Sequence, residues 1–288
     1  MSTPLLIEPD ALHAALQQGG CVPVDCRFRL MDPGAGEAAY AGGHIPGARY
    51  MHLDRDLASA PAADEGRHPL PEPSELARTL SRLGISNSDY VVAYDDAGGA
   101  IAARLWWLLR WIGHARVSVL NGGLKAWQNA GLTLQAEAPE YAPGQFRAAA
   151  PDPRMSVATA DVAAELAAGS VLIDARSAER FAGRSEPIDP VAGHVPGAVN
   201  CPFERLLAVD GRVREPAALR RLFVDELNLK PDDRIVAMCG SGVTACHVLL
   251  ALEQAGIDGG RLYAGSWSEW IRDPARPVAT GSGDVPAS

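Results

Sequence analysis

The sequence predicts an α/β protein built from two tandem domains, each a parallel sheet flanked by helices. Three observations predict it. Motifs of the first half return in the same order in the second. Short apolar runs of strand length alternate with helix-like stretches in both halves. An Ala- and Pro-rich segment without periodicity separates them.

The repeat sets the architecture. Asp25-Cys26-Arg27 precedes Gly43-His44-Ile45-Pro46-Gly47-Ala48, and Asp174-Ala175-Arg176 precedes Gly193-His194-Val195-Pro196-Gly197-Ala198. The two histidines lie 150 positions apart and the two aspartates 149. Val91-Val92-Ala93-Tyr94-Asp95 then matches Ile235-Val236-Ala237-Met238-Cys239 at an offset of 144. Asn121-Gly122-Gly123, leading to Trp127, resembles Tyr263-Ala264-Gly265, leading to Trp270. Preserved order with drifting offsets means a duplicated domain whose loops differ in length. The expected division is 1–134, a linker over 135–154, and 155–288. Pro143, Pro151 and Pro153 favour an extended linker over a helical one.

Val171-Leu172-Ile173 and Ile235-Val236-Ala237-Met238 are too short for helices and are predicted to be buried strands. Thr159-Ala160-Asp161-Val162 opens a helix that continues through Leu166 and stops near Gly169. A second helix is predicted from Val243 to Ala255, ending at Gly256. Trp106, Trp107 and Trp111 have near-helical spacing and are expected to pack between helix and sheet.

A chain of 288 residues with 47% hydrophobic and 21% charged side chains accommodates two domains with separate cores. The net charge of −9 and the lack of a dense Lys/Arg run argue against a nucleic-acid surface. An anionic ligand must then be held by local groups. Residues 1–16 lack the basic head and apolar core of a secretory signal. No apolar run reaches the roughly 18 residues a membrane span requires; the most apolar stretch, residues 100–112, is broken by Arg104 and Arg110. Five cysteines, an odd number with no C-x-x-C pair, suit a reducing cytoplasm and argue against a zinc or disulfide framework.

The chemistry concentrates in Cys239-Gly240-Ser241-Gly242-Val243-Thr244. Cys239 follows a predicted strand directly, and a helix begins a few residues later. In open parallel sheets ligands sit at the carboxyl ends of strands, where helix N-termini also point. Gly240 and Gly242 free the backbone to curl so that successive N–H groups converge. Converging donors and the positive end of a helix favour a thiolate, the form that attacks or carries sulfur. Cys21, Cys201 and Cys246 have no such setting and are expected to be core residues. A Cys-based phosphatase uses a similar cradle but needs an Arg six positions after the cysteine, and here that position is Ala245. Asp95-Asp96 resembles half a metal site without further ligands at a recognisable spacing. Gly66-Arg67-His68-Pro69-Leu70-Pro71 is a polar, proline-bounded loop, expected at a cleft or on the surface.

The His-Ile/Val-Pro-Gly-Ala motifs, Asn121-Gly122-Gly123-Leu124 and the six-residue cysteine loop together resemble tandem rhodanese-type sulfurtransferases. The resemblance runs from about Asp25 to Trp270 and implies two rhodanese-like domains, the first inert with Asp95 at the cysteine position. Members that use thiosulfate carry basic residues after the cysteine. Gly240 and Ser241 instead resemble the 3-mercaptopyruvate sulfurtransferases. The family likeness makes Arg180 the group that binds the donor's anionic end, as a guanidinium suits a carboxylate or sulfonate. A second substrate arginine, expected after Glu186-Pro187, is replaced by Ile188, and Arg184 or Arg176 are candidates to compensate. His44 matches a histidine proposed to assist catalysis in such enzymes, although His194 repeats it in the other half.

The implied reaction moves sulfur from 3-mercaptopyruvate, or alternatively thiosulfate, to a thiol or cyanide acceptor through a Cys239 persulfide. Ser241 is expected to assist the leaving group. Gly240, Gly242, Val243 and Thr244 form the cradle. No metal or organic cofactor is required. The acceptor side includes small thiols and a thioredoxin-like protein, with no nucleic-acid or membrane partner. The rival from another class is a non-catalytic rhodanese-like module that docks a sulfur-carrying protein.

Overall fold

A computed structural model describes residues 3–282. The chain divides into two compact units. One comprises Met1–Ser59, Leu70–Asp152 and Ala208–Val213; the other comprises Ala60–Pro69, Pro153–Leu207 and Arg214–Ser288. The outer ends of the two expected domains, residues 1–2 and 283–288, lie outside the described residues.

The first unit holds a five-stranded parallel sheet of β1 (Leu6–Ile7), β2 (Val22–Asp25), β3 (Arg49–Tyr50), β4 (Val91–Tyr94) and β5 (Val117–Leu120), ordered β1-β5-β4-β2-β3. The second holds β6 (Ser156–Val157), β7 (Val171–Asp174), β8 (Val199–Asn200), β9 (Ile235–Met238) and β10 (Arg261–Tyr263), also all parallel and ordered β6-β10-β9-β7-β8. Adding five to each strand number converts one order into the other. The duplication is therefore one of topology as well as of motif. The central strands β4 and β9 are buried along their whole length, as expected of sheets covered on both faces.

The predicted helices are present with small shifts at their ends. Thr159–Asp161 is a 3-10 turn leading into the helix Val162–Ala167, and the cysteine-loop helix spans Thr244–Gln254, with Gly256 at φ 74° beyond its end. Trp106 and Trp107 are buried on the helix Ala102–Trp111.

The same brace ties the recurring Asp-x-Arg and Gly-His motifs together in each unit. The Arg27 guanidinium grips Asp25 at 2.7 Å and donates to the Gly43 carbonyl at 2.8 Å; Arg176 grips Asp174 at 2.7 Å and donates to Gly193 at 2.7 Å. Each pair is buried, which makes its geometry well defined. Both histidines belong to this brace. His44 stacks on Tyr40, centroids 4.0 Å apart, with Nδ1 2.8 Å from the Tyr40 carbonyl. His194 stacks on Phe181 at 3.7 Å with Nδ1 2.8 Å from the Phe181 carbonyl.

Two segments depart from a simple split of the sequence. The segment read as a linker packs with the first unit as far as Asp152. Gly144 donates to the Ser81 carbonyl at 2.7 Å, Ala149 donates to Ile112 at 3.0 Å, and Phe146 is buried. Residues 60–69, early in the chain, belong to the second unit. Gly66 N–H donates to Glu269 Oε2 at 3.2 Å, Arg67 N–H to Ser268 Oγ at 3.0 Å, and Arg272 Nε to the Glu65 carbonyl at 3.2 Å. This second departure brings new side chains to the cysteine.

Candidate active site

Strand β9 delivers Cys239 to its carboxyl end, and the turn 239–243 leads into the helix Thr244–Gln254. The turn is pinned from below by the segment after β10. Cys239 N–H donates to Ser266 Oγ at 3.1 Å, and that hydroxyl donates to the Tyr263 carbonyl at 2.8 Å. The Cys239 and Gly240 carbonyls accept from Trp267 and Ser268 N–H at 3.1 and 2.9 Å. Gly242 adopts φ 74°, and a Cβ there would stand 2.4 Å from the Ala264 carbonyl oxygen, so only glycine fits. Ala264-Gly265 after β10 is thus the floor of the cysteine loop. Cys239 is 3% exposed and unpaired with any other cysteine.

The side chains around the loop come from three segments of the second unit. Ser241 Oγ lies 2.7 Å from His68 Nδ1, both side chains being buried. Arg180 donates to Glu186 at 2.9 Å and to Asp189 Oδ2 at 2.9 Å. Arg67 Nη1 donates to the other oxygen of Asp189 at 2.7 Å. Both guanidiniums reach the turn: a side chain built on Gly240 would meet Arg67 Nη2 at 3.3 Å and Arg180 Nη2 at 3.5 Å. Any substituent at Gly240 would occupy the space these cations face. The site can therefore hold an anion beside a nucleophilic sulfur, with a hydroxyl–imidazole pair positioned to handle a proton.

The structure brings Arg180, Ser241, Gly240, Gly242, Val243 and Thr244 together with Cys239. It does not add His44, which is fully buried within the first unit, stacked on Tyr40 and bonded through Nδ1. The matching His194 makes the same two contacts in the second unit, so each ring braces its own unit. Both suggested substitutes for the second arginine are engaged with other partners. Arg176 is buried against Asp174 and over the Trp267 ring at 4.6 Å, and Arg184 forms an exposed pair with Glu179. Sequence reading missed Arg67, His68, Asp189 and Ser266. The only signal for the first two was a polar loop between prolines, 173 positions from Ser241 at His68.

Burial pushes Cys201 and Cys21 up to about 11 and raises Cys26 well above the ordinary thiol value. In the first unit, the position matching Cys239 holds the Asp95 carboxylate, which accepts N–H bonds from Ala97, Gly99, Ile101 and Ala102 at 2.8–2.9 Å. The corresponding loop there is an anion cradle filled by its own side chain.

The chain thus carries the same parallel α/β unit twice and a cysteine in the strand–turn–helix cradle once. The Rhodanese-like domain family model matches residues 8–130 and again 158–273. The chain belongs to the rhodanese family and is a sulfurtransferase of that family. It is 49% identical to a Pseudomonas aeruginosa protein named "Probable 3-mercaptopyruvate sulfurtransferase", over 98% of this chain and 100% of that protein. A Mycobacterium tuberculosis protein, SseB, whose name proposes thiosulfate sulfurtransferase activity, is 41% identical over 96% of this chain and 98% of its own. The crystal structure of SseA from Escherichia coli, a 3-mercaptopyruvate sulfotransferase with the rhodanese fold, superposes with a TM-score of 0.80. It is 33% identical and covers 93% of this chain and 100% of that one. Among the described residues, no helix is long and apolar enough to cross a membrane.

Proposed function

We propose that the protein moves a sulfur atom from 3-mercaptopyruvate to a thiol or cyanide acceptor through a persulfide on Cys239. The Cys239 thiolate attacks the donor sulfur and forms the S–S bond. The donor's C–S bond breaks, and its electron pair passes to the carbon as pyruvate enolate, which takes a proton and leaves as pyruvate. An acceptor thiolate or cyanide then attacks the outer sulfur, and the bond electrons return to Cys239 as thiolate.

The observation that carries this reading is the hydroxyl–imidazole pair Ser241–His68, 2.7 Å apart beside the cysteine turn. Enolate departure needs a proton at the right moment, and thiosulfate cleavage, whose leaving group is sulfite, needs it less. The guanidiniums of Arg180 and Arg67 suit the donor's carboxylate. Val243 and Thr244 carry the turn into the helix whose N-terminus favours the persulfide anion. Small thiols and a thioredoxin-like protein in a reducing cytoplasm are the acceptors this chemistry fits.

The second reading, thiosulfate as donor, is favoured by the same two cations, which would also hold a sulfonate, and by the name of the Mycobacterium tuberculosis relative. Comparing kcat/KM for the two donors on one preparation separates them. Mass spectrometry after donor treatment addresses the docking-module alternative. A gain of one sulfur on the Cys239 peptide supports the enzyme; no gain with either donor sinks it.

A further inference from the structure

Arg67 sits one residue before His68 in a segment bonded to Ser268 and Glu269. Its guanidinium and that of Arg180 share Asp189, one on each carboxylate oxygen, at 2.7 and 2.9 Å. The Asp189 side chain is 3% exposed, so a buried carboxylate holds the pair in a fixed relation. Shared in this way, each guanidinium keeps further N–H groups. Arg67 Nη2 and both terminal nitrogens of Arg180 lie 3.3–3.6 Å from where a side chain on Gly240 would stand. The Nε–H of Arg67 is buried and has no hydrogen-bond partner. A buried guanidinium donor with no acceptor costs stability unless a ligand completes it.

We propose that Arg67 is the second donor-binding cation of this site, gripping the anionic end of the sulfur donor together with Arg180, with Asp189 as the strut between them. The position after Glu186-Pro187 offers only Ile188, and the second charge arrives from the 60–69 segment instead. The inference rests on reading Cys239 as the sulfur carrier. It does not depend on which anionic donor is used, since a carboxylate and a sulfonate both fit a two-guanidinium fork.

The test compares wild type, Arg67→Gln and Arg67→Lys on three donors: 3-mercaptopyruvate, thiosulfate, and the uncharged keto-thiol 1-mercaptopropan-2-one. In Arg67→Gln the ratio of kcat/KM for the anionic over the neutral donor is expected to fall about ten- to a hundredfold, mostly through KM. Arg67→Lys, which keeps the charge without the fork, should recover part of it. A ratio that falls less than threefold, or an equal loss on all three donors, overturns the assignment. If wild type turns over thiosulfate but not mercaptopyruvate, the proposed donor fails, and Arg67 is still judged from the thiosulfate ratio.

Discussion

His68 Nδ1 lies 2.7 Å from Ser241 Oγ in the second unit, although the two residues are 173 positions apart in the chain. The hydroxyl belongs to the cysteine turn and the imidazole to the 60–69 segment. In the proposed mechanism a proton shared between them lets Ser241 donate toward the departing enolate and be reprotonated from the ring. Ser241→Ala and His68→Gln are each expected to lower kcat with mercaptopyruvate about a hundredfold. The double variant should fall little further, because the pair acts as a unit. Full additivity in steady-state kinetics would show that the two act separately.

Gly242 gives a second prediction, carried by backbone geometry alone. At φ 74° an L-residue is strained by roughly 1–2 kcal/mol. The added methyl would also stand 2.4 Å from the Ala264 carbonyl, so the turn and its floor must separate. Gly242→Ala should lose at least tenfold in kcat and several degrees in melting temperature, whereas Gly256→Ala, with φ 74° but open space around it, should lose stability only. Equal activity loss in both variants would break the link between the turn's floor and catalysis.

Much of this was legible in the sequence because the repeat exposed it. The motif offsets fixed the doubled topology, and the strand–Gly-rich–helix pattern located Cys239 and its turn. Gly-His-Ile-Pro-Gly is a conspicuous motif, but the sequence does not reveal that the His44 ring stacks on Tyr40 and bonds its carbonyl. Arg67 and His68 stayed hidden for the opposite reason. No periodicity marks a residue that crosses from the first half of the chain to the second unit through bonds to Ser268 and Glu269.

Thiol reactivity supplies a pH-dependent prediction. A thiol raised to about 11 is protonated at pH 8, with about one molecule in a thousand as thiolate, and that fraction rises tenfold per pH unit. Cys201 and Cys21 should therefore resist iodoacetamide at pH 8 and gain label only as pH climbs toward 11. Peptide mapping of limited labelling at pH 8 should find one site, Cys239, with loss of activity in step. Label on Cys201 or Cys21 ahead of Cys239 would contradict the assignment of the nucleophile.

Asp95 occupies the first unit's counterpart of the cysteine position, and its carboxylate collects four backbone N–H bonds at 2.8–2.9 Å. The duplicated turn keeps its capacity to gather donors round an anion, and an internal side chain supplies the anion. Removing the carboxylate would leave these buried and half-buried donors without their acceptor. Asp95→Ala is expected to cost about 3 kcal/mol in chemical denaturation. Asp95→Asn, which keeps the shape but turns an amide NH2 toward N–H donors, should cost somewhat less. Neither replacement touches Cys239, so sulfur loading per folded molecule, read by mass spectrometry, should stay at one atom. An Asp95→Ala protein as stable as wild type would mean that the loop does not depend on its internal anion, and the parallel drawn with the persulfide cradle would fall with it.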